Sequence, residues 1–206
     1  LSDNTRVIYT SDHGENAGAR GLWGKSLMYE ESTGVPMILA GPDVEKGLVC
    51  TTPVSLIDLY PTITKAVGLK TTDEEADLPG RSLFEVASGP SNQDRCVFAQ
   101  YHASASPTGG FMVRKGRYKY HYYVDYPPEF FDLQDDPEEE RDLSDDPDYA
   151  EVIQQYQTIL LEIVNPETAD RQAKDDQNAI VKFHGGREKI LRDKIGISSY
   201  TPAPKV

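Results

Sequence analysis

The chain has 206 residues, of which 38% are hydrophobic and 27% charged, a composition ordinary for a globular protein with one large domain or one and a half. Its formal net charge of −13 repels nucleic-acid phosphates and anionic lipid, so neither is an expected partner. Any anionic substrate would need a local cation. The sequence contains no apolar run of about 18 residues, so a transmembrane helix is not expected.

The first residues carry neither a start methionine nor a signal peptide, which indicates a chain that begins inside a longer protein. A targeting signal would then lie upstream, and a cytoplasmic or a periplasmic location stays open. Cys50 and Cys96 are the two cysteines, far apart in sequence. Such a pair predicts two unpaired thiols rather than a disulfide framework or a zinc site.

Residues 1–90 follow the pattern of an α/β layer. The segment 5–11 is rich in β-branched and aromatic residues and predicts a strand, and the apolar run at 34–42 predicts a second buried strand. Ser55 and Asp58 match a capping box, and helical spacing continues to a stop at Gly68. Strand, loop, strand and helix predict an α/β fold for this part.

Residues 91–206 predict an α+β subdomain with a helical tail. The segment 85–95 has the composition of a linker, and strands are predicted at 97–101, 111–114, 118–123 and 129–133 with a hairpin turn at 115–117. A helix is expected from Pro147 to about Val164, and a second, more polar one from Ala169 to Phe183. From Arg187 onward we expect an extended or disordered tail.

Asp12 and His13 follow the first predicted strand directly. In open α/β sheets, sites form beyond the carboxyl ends of strands. A carboxylate supplies a hard oxygen ligand and a neutral imidazole a nitrogen ligand for a divalent metal, and Gly14 leaves room for close approach. The dipeptide alone equally fits a loop in which Asp12 caps a turn.

Ten segments of the chain belong to one pattern: YTSDHGE (9–15), GLWGK (21–25), MYEES (28–32), VPMI (35–38), SLIDLYPT (55–62), LPGRSL (78–83), MVR (112–114), YKY (118–120), FFDL (130–133) and DPEE (136–139). Together they resemble the sulfatase family, within the alkaline-phosphatase-like superfamily. Their Asp-His form is closest to the choline-sulfatase-like and phosphonate-monoester-hydrolase-like branches. The resemblance covers about residues 5–145, and it implies the C-terminal part of an alkaline-phosphatase-like catalytic domain followed by a small antiparallel sheet with helices.

The resemblance implies that Asp12 and His13 are two ligands of a Ca²⁺, Mn²⁺ or Mg²⁺ ion, with Ca²⁺ favoured. It implies that Lys25 reaches the sulfate and stabilises charge on the leaving oxygen, because an anionic ester needs a cation opposite the metal. A solvated surface lysine is the alternative for Lys25. His102 follows a predicted strand, and in the resembled family this segment approaches the substrate, so His102 is expected to bind substrate or donate a proton.

The nucleophile of such a sulfatase is a formylglycine made within a Cys-x-Pro-x-Arg segment. Cys50 and Cys96 lack that context, and the paired aspartates that complete the family's metal site are absent. The chain is therefore expected to hold part of a site, with the formylglycine upstream and the remainder of the catalytic domain as its partner. Because selective hard-ion sites use about six ligands, one carboxylate and one imidazole should bind metal poorly.

Other polar residues predict structure rather than chemistry. His121 lies between tyrosines of a predicted strand and is expected to be structural, and the acidic run 135–146 lacks the calcium-loop pattern and predicts a solvated turn. His184 lies in a tail of the kind that in related sulfatases covers the active site or a neighbouring subunit, so a homo-oligomer is also considered.

The sequence thus predicts part of a sulfatase that hydrolyses a small-molecule sulfate ester when intact and is inactive as an isolated chain. Two alternatives stay open. One is a phosphonate or phosphate ester hydrolase of the same superfamily, since the esters are similar in shape. The other is a folded, non-catalytic fragment.

Overall fold

A computed structural model of the chain describes residues 4–70, 72–103 and 106–193. Helices and antiparallel strands are mixed along the chain, as the sequence predicts. The strands are β1 (Val7–Thr10), β2 (Met37–Ala40), β3 (Cys96–Tyr101), β4 (Gly110–Lys115), β5 (Tyr118–Tyr123) and β6 (Tyr126–Asp132), and the helices are α1 (Glu30–Thr33), α2 (Leu59–Ala66), α3 (Leu83–Ser88), α4 (Ala150–Ile163), α5 (Pro166–Phe183) and α6 (Arg187–Asp193).

The first sheet consists of β1 and β2, both at their predicted places. They pair antiparallel with Val7 opposite Ala40 and Thr10 opposite Met37. Because side chains alternate across a strand, Ile8 and Leu39 lie on one, half-buried face, while Val7, Tyr9 and Ile38 lie on the other and are exposed. This small sheet therefore presents an uncovered apolar face within the described residues.

The capping box at the start of α2 is confirmed and does more than cap the helix. The Asp58 carboxylate is fully buried and accepts from the backbone N–H groups of Ser55 and Arg81, both at 2.8 Å. It also accepts two hydrogen bonds from the guanidinium of Arg95, at 2.6 and 2.9 Å. Two segments that are distant in sequence, around Arg81 and Arg95, are thereby tied to the start of this helix.

Thr62 extends this attachment one turn along α2. Its hydroxyl is fully buried, donates to the carbonyl of Asp58 at 2.6 Å and accepts from the backbone N–H of Leu83 at 2.8 Å. The segment that leads into α3 is thus bonded to both Asp58 and Thr62. Gly68, with a φ of 73°, ends the helix as expected.

The second sheet has the strand order β3-β4-β5-β6, and every neighbouring pair is antiparallel. The predicted hairpin turn joins β4 to β5, with Gly116 in the left-handed region at a φ of 58°. One face of this sheet packs against α4 and forms the main hydrophobic core. Its buried members are Phe111, Val113, Tyr120, Val124, Phe130, Leu143, Tyr156 and Leu160.

The opposite face of the second sheet is polar. Arg114 pairs with Lys119 and Met112 with His121, so these four side chains share that face with Glu129 and Phe131 of β6. Because Lys119 and His121 are fully buried, something must cover them, and the cover is the segment around Tyr29 and α1. The two halves of the chain therefore meet at a charged surface.

Three sequence expectations need correction. The first residues of the segment taken as a linker, 85–95, belong to α3, and only the part after Ser88 is a loop. Helix α5 begins at Pro166 rather than Ala169, because the side chain of Asn165 caps it by accepting from the N–H of Thr168 at 2.8 Å. The tail from Arg187 is helical as far as Asp193, where an extended chain was expected.

The expected extended end at Thr201–Pro204 lies outside the described residues. Within those residues, none of the helices has both the length and the apolar character needed to cross a bilayer.

Replacing Asp58 with alanine should strongly destabilise the fold. The change leaves the buried guanidinium of Arg95 without its counter-charge, and breaking a buried pair in this way costs about 3–5 kcal/mol. Urea unfolding of the variant and of a control, Asp43→Ala, would measure this. Asp43 pairs with Arg6 at an exposed site and should cost about 1 kcal/mol or less. Equal losses in the two variants would contradict the assigned role of Asp58.

Candidate functional site

Asp12 and His13 lie just beyond the carboxyl end of β1, as the sequence predicts. The side chain of Asp12 is 84% exposed, and its Oδ2 lies 3.4 Å from Nε2 of His13. Two donor atoms bound to one divalent ion at right angles, with bonds of about 2.1 and 2.4 Å, would be separated by about 3.2 Å. The two side chains are therefore spaced as a chelating pair would be.

The imidazole of His13 is oriented by its own backbone. Its Nδ1 lies 2.7 Å from the carbonyl oxygen of Gly14, so Nδ1 carries the proton and donates to that oxygen. The lone pair is then on Nε2, which faces Asp12 and the ammonium group of Lys25. Lys25 donates to Nε2 in this structure. The structure therefore brings Asp12, His13 and Lys25, three residues of one loop, to one place.

Gly14 permits the close approach of the backbone of α1, whereas the sequence analysis expected it to leave room at the metal site. The backbone N–H of Gly14 donates to the carbonyl of Ser32 at 2.8 Å. A Cβ atom at this position would lie 1.9 Å from the carbonyl oxygen of Glu31. Glycine is thus required by the packing of the loop against α1, which brings the end of β1 next to that helix.

Lys25 reaches His13 because two side chains close the loop between them. Asn16 is buried and donates from Nδ2 to the carbonyl of Gly24 at 2.6 Å, while Glu15 accepts from the N–H of Gly24 at 2.6 Å. Gly24 itself has a φ of 91°, which favours glycine. The sequence analysis assigned no role to Asn16 or Glu15. The glycines of the loop were the sequence signal for a tightly folded loop.

A cleft of about 670 Å³ runs from this group of residues to the second sheet. Asp12, His13 and Lys25 line one wall, and Met112 and Arg114 of β4 line the other. The cleft thus has one cation on each side, Lys25 and Arg114, together with the carboxylates of Asp12 and Glu30, the second of which lies 3.4 Å from Arg114.

His102 is not brought to this group. The residue before it, Tyr101, lines the cleft, but His102 is not among the described lining residues. Its ring packs edge-on against Phe111 at a centroid distance of 5.2 Å, and its carbonyl accepts from Gln177 of α5. Its buried Nδ1 has no hydrogen-bond partner within the described part of the chain.

The donor set for a metal ion is partial. Within residues 4–70, 72–103 and 106–193, no group of three or more histidine, cysteine, aspartate or glutamate side chains is arranged to hold an ion. The oriented Nε2 of His13 and the nearby Asp12 carboxylate nevertheless fit two positions of a divalent ion's coordination sphere. Further ligands would have to come from elsewhere.

A buried group of charges lies where the loop after Lys25 meets the polar face of the second sheet. The ammonium of Lys119 lies 2.8 Å from Glu30 Oε1 and 3.0 Å from Glu139 Oε1, and it also donates to the hydroxyl of Thr33 at 3.2 Å. Burial alone would raise the pKa of Glu30, but the charges of Lys119 and Arg114 outweigh burial and lower it. For Glu139, burial prevails and the pKa is raised.

His121 lies beside these charges and is structural, as expected. Its ring is fully buried and packs against the rings of Tyr29 and Phe131. Nδ1 lies 3.3 Å from the carboxylate of Glu129, which also accepts from the hydroxyl of Tyr29 at 2.5 Å and from that of Tyr123 at 3.0 Å. Burial lowers the pKa of His121 to about 4, although the bond to Glu129 opposes the shift.

The acidic run 135–146 departs from the solvated turn that the sequence predicts. Asp136 and Asp142 accept hydrogen bonds from backbone N–H groups and so hold the turn in shape. Glu139 is only 2% exposed, and its side chain points into the charged group described above. Local composition suggests solvation here because the partners of Glu139 lie far away in sequence.

The low pKa of His121 makes stability depend on pH. The unfolded chain binds a proton near pH 6.5 and the folded chain only near pH 4, so stability is complete above about pH 6.5 and falls as the pH is lowered towards 4. The loss amounts to about 3 kcal/mol for this group. In His121→Gln this pH dependence is absent. The difference in free energy of unfolding between wild type and variant, measured by urea titration, should therefore shrink between pH 7 and pH 4. A difference that does not change with pH would contradict this.

Comparison with known proteins identifies the family of the chain. Residues 18–165 match the sequence model of the family described as N-sulphoglucosamine sulphohydrolase, C-terminal. The chain is 35% identical to the choline-sulfatase of Rhizobium meliloti (strain 1021) over 137 residues, which are 66% of this chain and 26% of that protein. The chain thus spans about a quarter of the length of this relative.

Solved structures show the same fold. One, a 2-O GAG sulfatase, superimposes with a TM-score of 0.64 at 28% identity over 85% of this chain and 38% of that one. Another, the phosphonate monoester hydrolase from Silicibacter pomeroyi, gives a TM-score of 0.65 at 28% identity over 77% and 34%. The chain belongs to the sulfatase family, and it corresponds to the family's C-terminal portion.

Proposed function

We propose that the full-length protein is a metal-dependent sulfatase that hydrolyses a small-molecule sulfate ester. The observation that carries the proposal is the contact of Lys25 with Nε2 of His13, beside Asp12, in a cleft of a chain from this family. A divalent ion held by His13 and Asp12 would lie next to the ammonium of Lys25. The ion and the ammonium could then contact one anionic group from two sides.

In this proposal Asp12 and His13 hold a divalent ion, with Ca²⁺ preferred and Mn²⁺ or Mg²⁺ as alternatives. The ion would supply Lewis-acid polarisation of a sulfate oxygen. His13 has one lone pair, on Nε2, so it can serve either the ion or Lys25. Once that lone pair is used for metal binding, the ammonium of Lys25 is free to donate to the sulfate and to the leaving oxygen.

The nucleophile is proposed to be a formylglycine from a segment outside these 206 residues, because neither Cys50 nor Cys96 lies in a Cys-x-Pro-x-Arg context. The uncovered apolar face of β1 and β2, which includes Val7 and Tyr9, supports a remainder of the catalytic domain that packs there. His102 is retained as a proposed substrate-binding residue only because it follows Tyr101, which lines the cleft.

The alternative is hydrolysis of a phosphonate or phosphate ester. The similarity to a phosphonate monoester hydrolase supports it, whereas the family model and the curated relatives support a sulfate ester. Both kinds of anion would fit between a divalent ion and Lys25. The choice depends on the nucleophile, which the 206 residues do not contain.

The deciding experiment uses the purified full-length protein with Ca²⁺ or Mn²⁺ and compares kcat/KM for an aryl sulfate and for an aryl phosphonate monoester. The proposal predicts the larger value for the sulfate. A preference for the phosphonate would support the alternative, and no turnover of either ester with any ion would indicate a non-catalytic protein. The isolated 206-residue chain should be inactive, and turnover by it would contradict the partial site.

Asp12→Ala and His13→Ala in the full-length protein should lower metal affinity and activity together. Loss of one ligand is expected to weaken metal binding by about 10- to 100-fold or more, since even outer-sphere changes have effects of this size. Metal content after dialysis and turnover are measured side by side. Asp94→Ala, at an exposed carboxylate, is the matched control. Full activity with unchanged metal content in either site variant would contradict the ligand assignment.

A further inference from the structure

Glu139 contacts both ends of the segment that carries Lys25. Upstream of Lys25, the guanidinium of Arg20 donates to the carbonyl of Glu139 at 2.6 Å and to that of Glu138. Downstream, the backbone N–H of Glu30 donates to Oε2 of Glu139 at 2.6 Å. A single residue, more than a hundred positions away in sequence, therefore fixes the segment on either side of Lys25.

The contact at Arg20 is supported on several sides. Its guanidinium lies over the ring of Tyr29, 4.3 Å from the ring centroid, and 3.6 Å from a carboxylate oxygen of Glu31. Arg20 also adopts a φ of 54°, in the left-handed region that non-glycine residues rarely occupy. The hydrogen bonds of its guanidinium to the two carbonyl groups of the acidic turn offset part of the cost of this conformation.

Glu139 is itself held in an unfavourable state. It is 2% exposed, and it too has a left-handed φ, 52°. Its other carboxylate oxygen, Oε1, lies 3.0 Å from the ammonium of Lys119. Such backbone strain persists only where the surroundings determine it, and it concentrates at functional sites. A plain surface turn would need neither the burial nor the strain.

We propose that Glu139 is a positioning residue for Lys25. Its carbonyl accepts from Arg20 and its carboxylate accepts from the N–H of Glu30. Through these two residues it holds the loop that places the lysine ammonium at His13. This inference rests on the proposed function, since it gives Lys25 the role of contacting the sulfate. Glu139 itself does not line the cleft among the residues described, so it acts through the loop and does not contact substrate.

The contact requires a carboxylate, not merely a polar side chain. Oε2 of Glu139 accepts from the N–H of Glu30, and Oε1 lies 3.0 Å from the ammonium of Lys119 as an ion pair without hydrogen-bond geometry. A glutamine has one acceptor and one amide donor, so in Glu139→Gln one of the two contacts must become donor against donor. The variant keeps the size of the side chain but no longer presents an oxygen to both the N–H of Glu30 and the ammonium of Lys119.

The test is a double-mutant cycle in the full-length protein, measured as kcat/KM for an aryl sulfate well below the unfolding temperature. Glu139→Gln should lower kcat/KM by about 10- to 100-fold in the wild-type background, because small misplacements of a catalytic group have effects of this size. In the Lys25→Ala background the same change should have an effect of less than about threefold. If Lys25→Ala turns over too slowly to be measured, the same double-mutant cycle is carried out with the dissociation constant of inorganic sulfate in place of kcat/KM.

Glu140→Gln is the matched control, with the same change of charge at the next, exposed residue. It should leave kcat/KM unchanged. Equal losses from Glu139→Gln in both backgrounds would overturn the proposal, since they would show a general structural defect that does not act through Lys25. So would a Glu139→Gln variant that behaves like Glu140→Gln.

The outcomes separate this inference from the proposed function. If Lys25→Ala alone keeps full activity, the function proposed for Lys25 fails, whatever Glu139 does. If Lys25→Ala lowers activity and Glu139→Gln does not, only the positioning role fails.

Discussion

The two halves of the chain are joined at one buried carboxylate. Glu139 lies between the ammonium of Lys119 on β5 and the backbone N–H of Glu30 at the start of α1. A buried charge without partners costs several kcal/mol, so burial of this carboxylate favours the arrangement in which β5 and the start of α1 both contact the acidic turn. The N-terminal α/β part and the C-terminal sheet are therefore joined by a charged contact, and the loop that carries Asp12, His13 and Lys25 is held at that junction.

This constraint explains the two faces of the second sheet. One face carries aromatic and aliphatic residues and is covered by α4, as in an ordinary sheet-on-helix core. The other carries Arg114, Lys119, His121 and Glu129, which would be costly to bury against an apolar partner. The cover that suits them is a segment with its own polar groups, and Tyr29 and Glu30 provide those groups immediately after the site loop.

The sequence predicted what depends on local patterns. Alternation and turn glycines predicted β1 to β5 within a few residues, and predicted β6 as a shorter segment. Helical spacing and capping residues predicted α2, α4 and most of α5. The motif around Asp12, His13 and Lys25 predicted that these residues meet. Glu139 was assigned to a solvated turn because five of the residues around it are acidic as well, and only the distant partners Lys119 and Glu30 distinguish it. Asn16 was missed because its role depends on its hydrogen bond to the carbonyl of Gly24, which local composition does not indicate. His102 was assigned to the substrate site by resemblance, and it is not among the described residues that line the cleft.

The proposed function makes this chain one wall of a sulfatase-type site, with the junction of Lys25, His13 and Asp12 at its centre. A crystal structure of the full-length protein soaked with Mn²⁺ and sulfate, with the ion located by anomalous scattering, tests that centre most directly. The account predicts Mn²⁺ on Nε2 of His13 and on the Asp12 carboxylate, with the ammonium of Lys25 moved from His13 to a sulfate oxygen. Mn²⁺ bound elsewhere, with Lys25 still donating to His13, would contradict it.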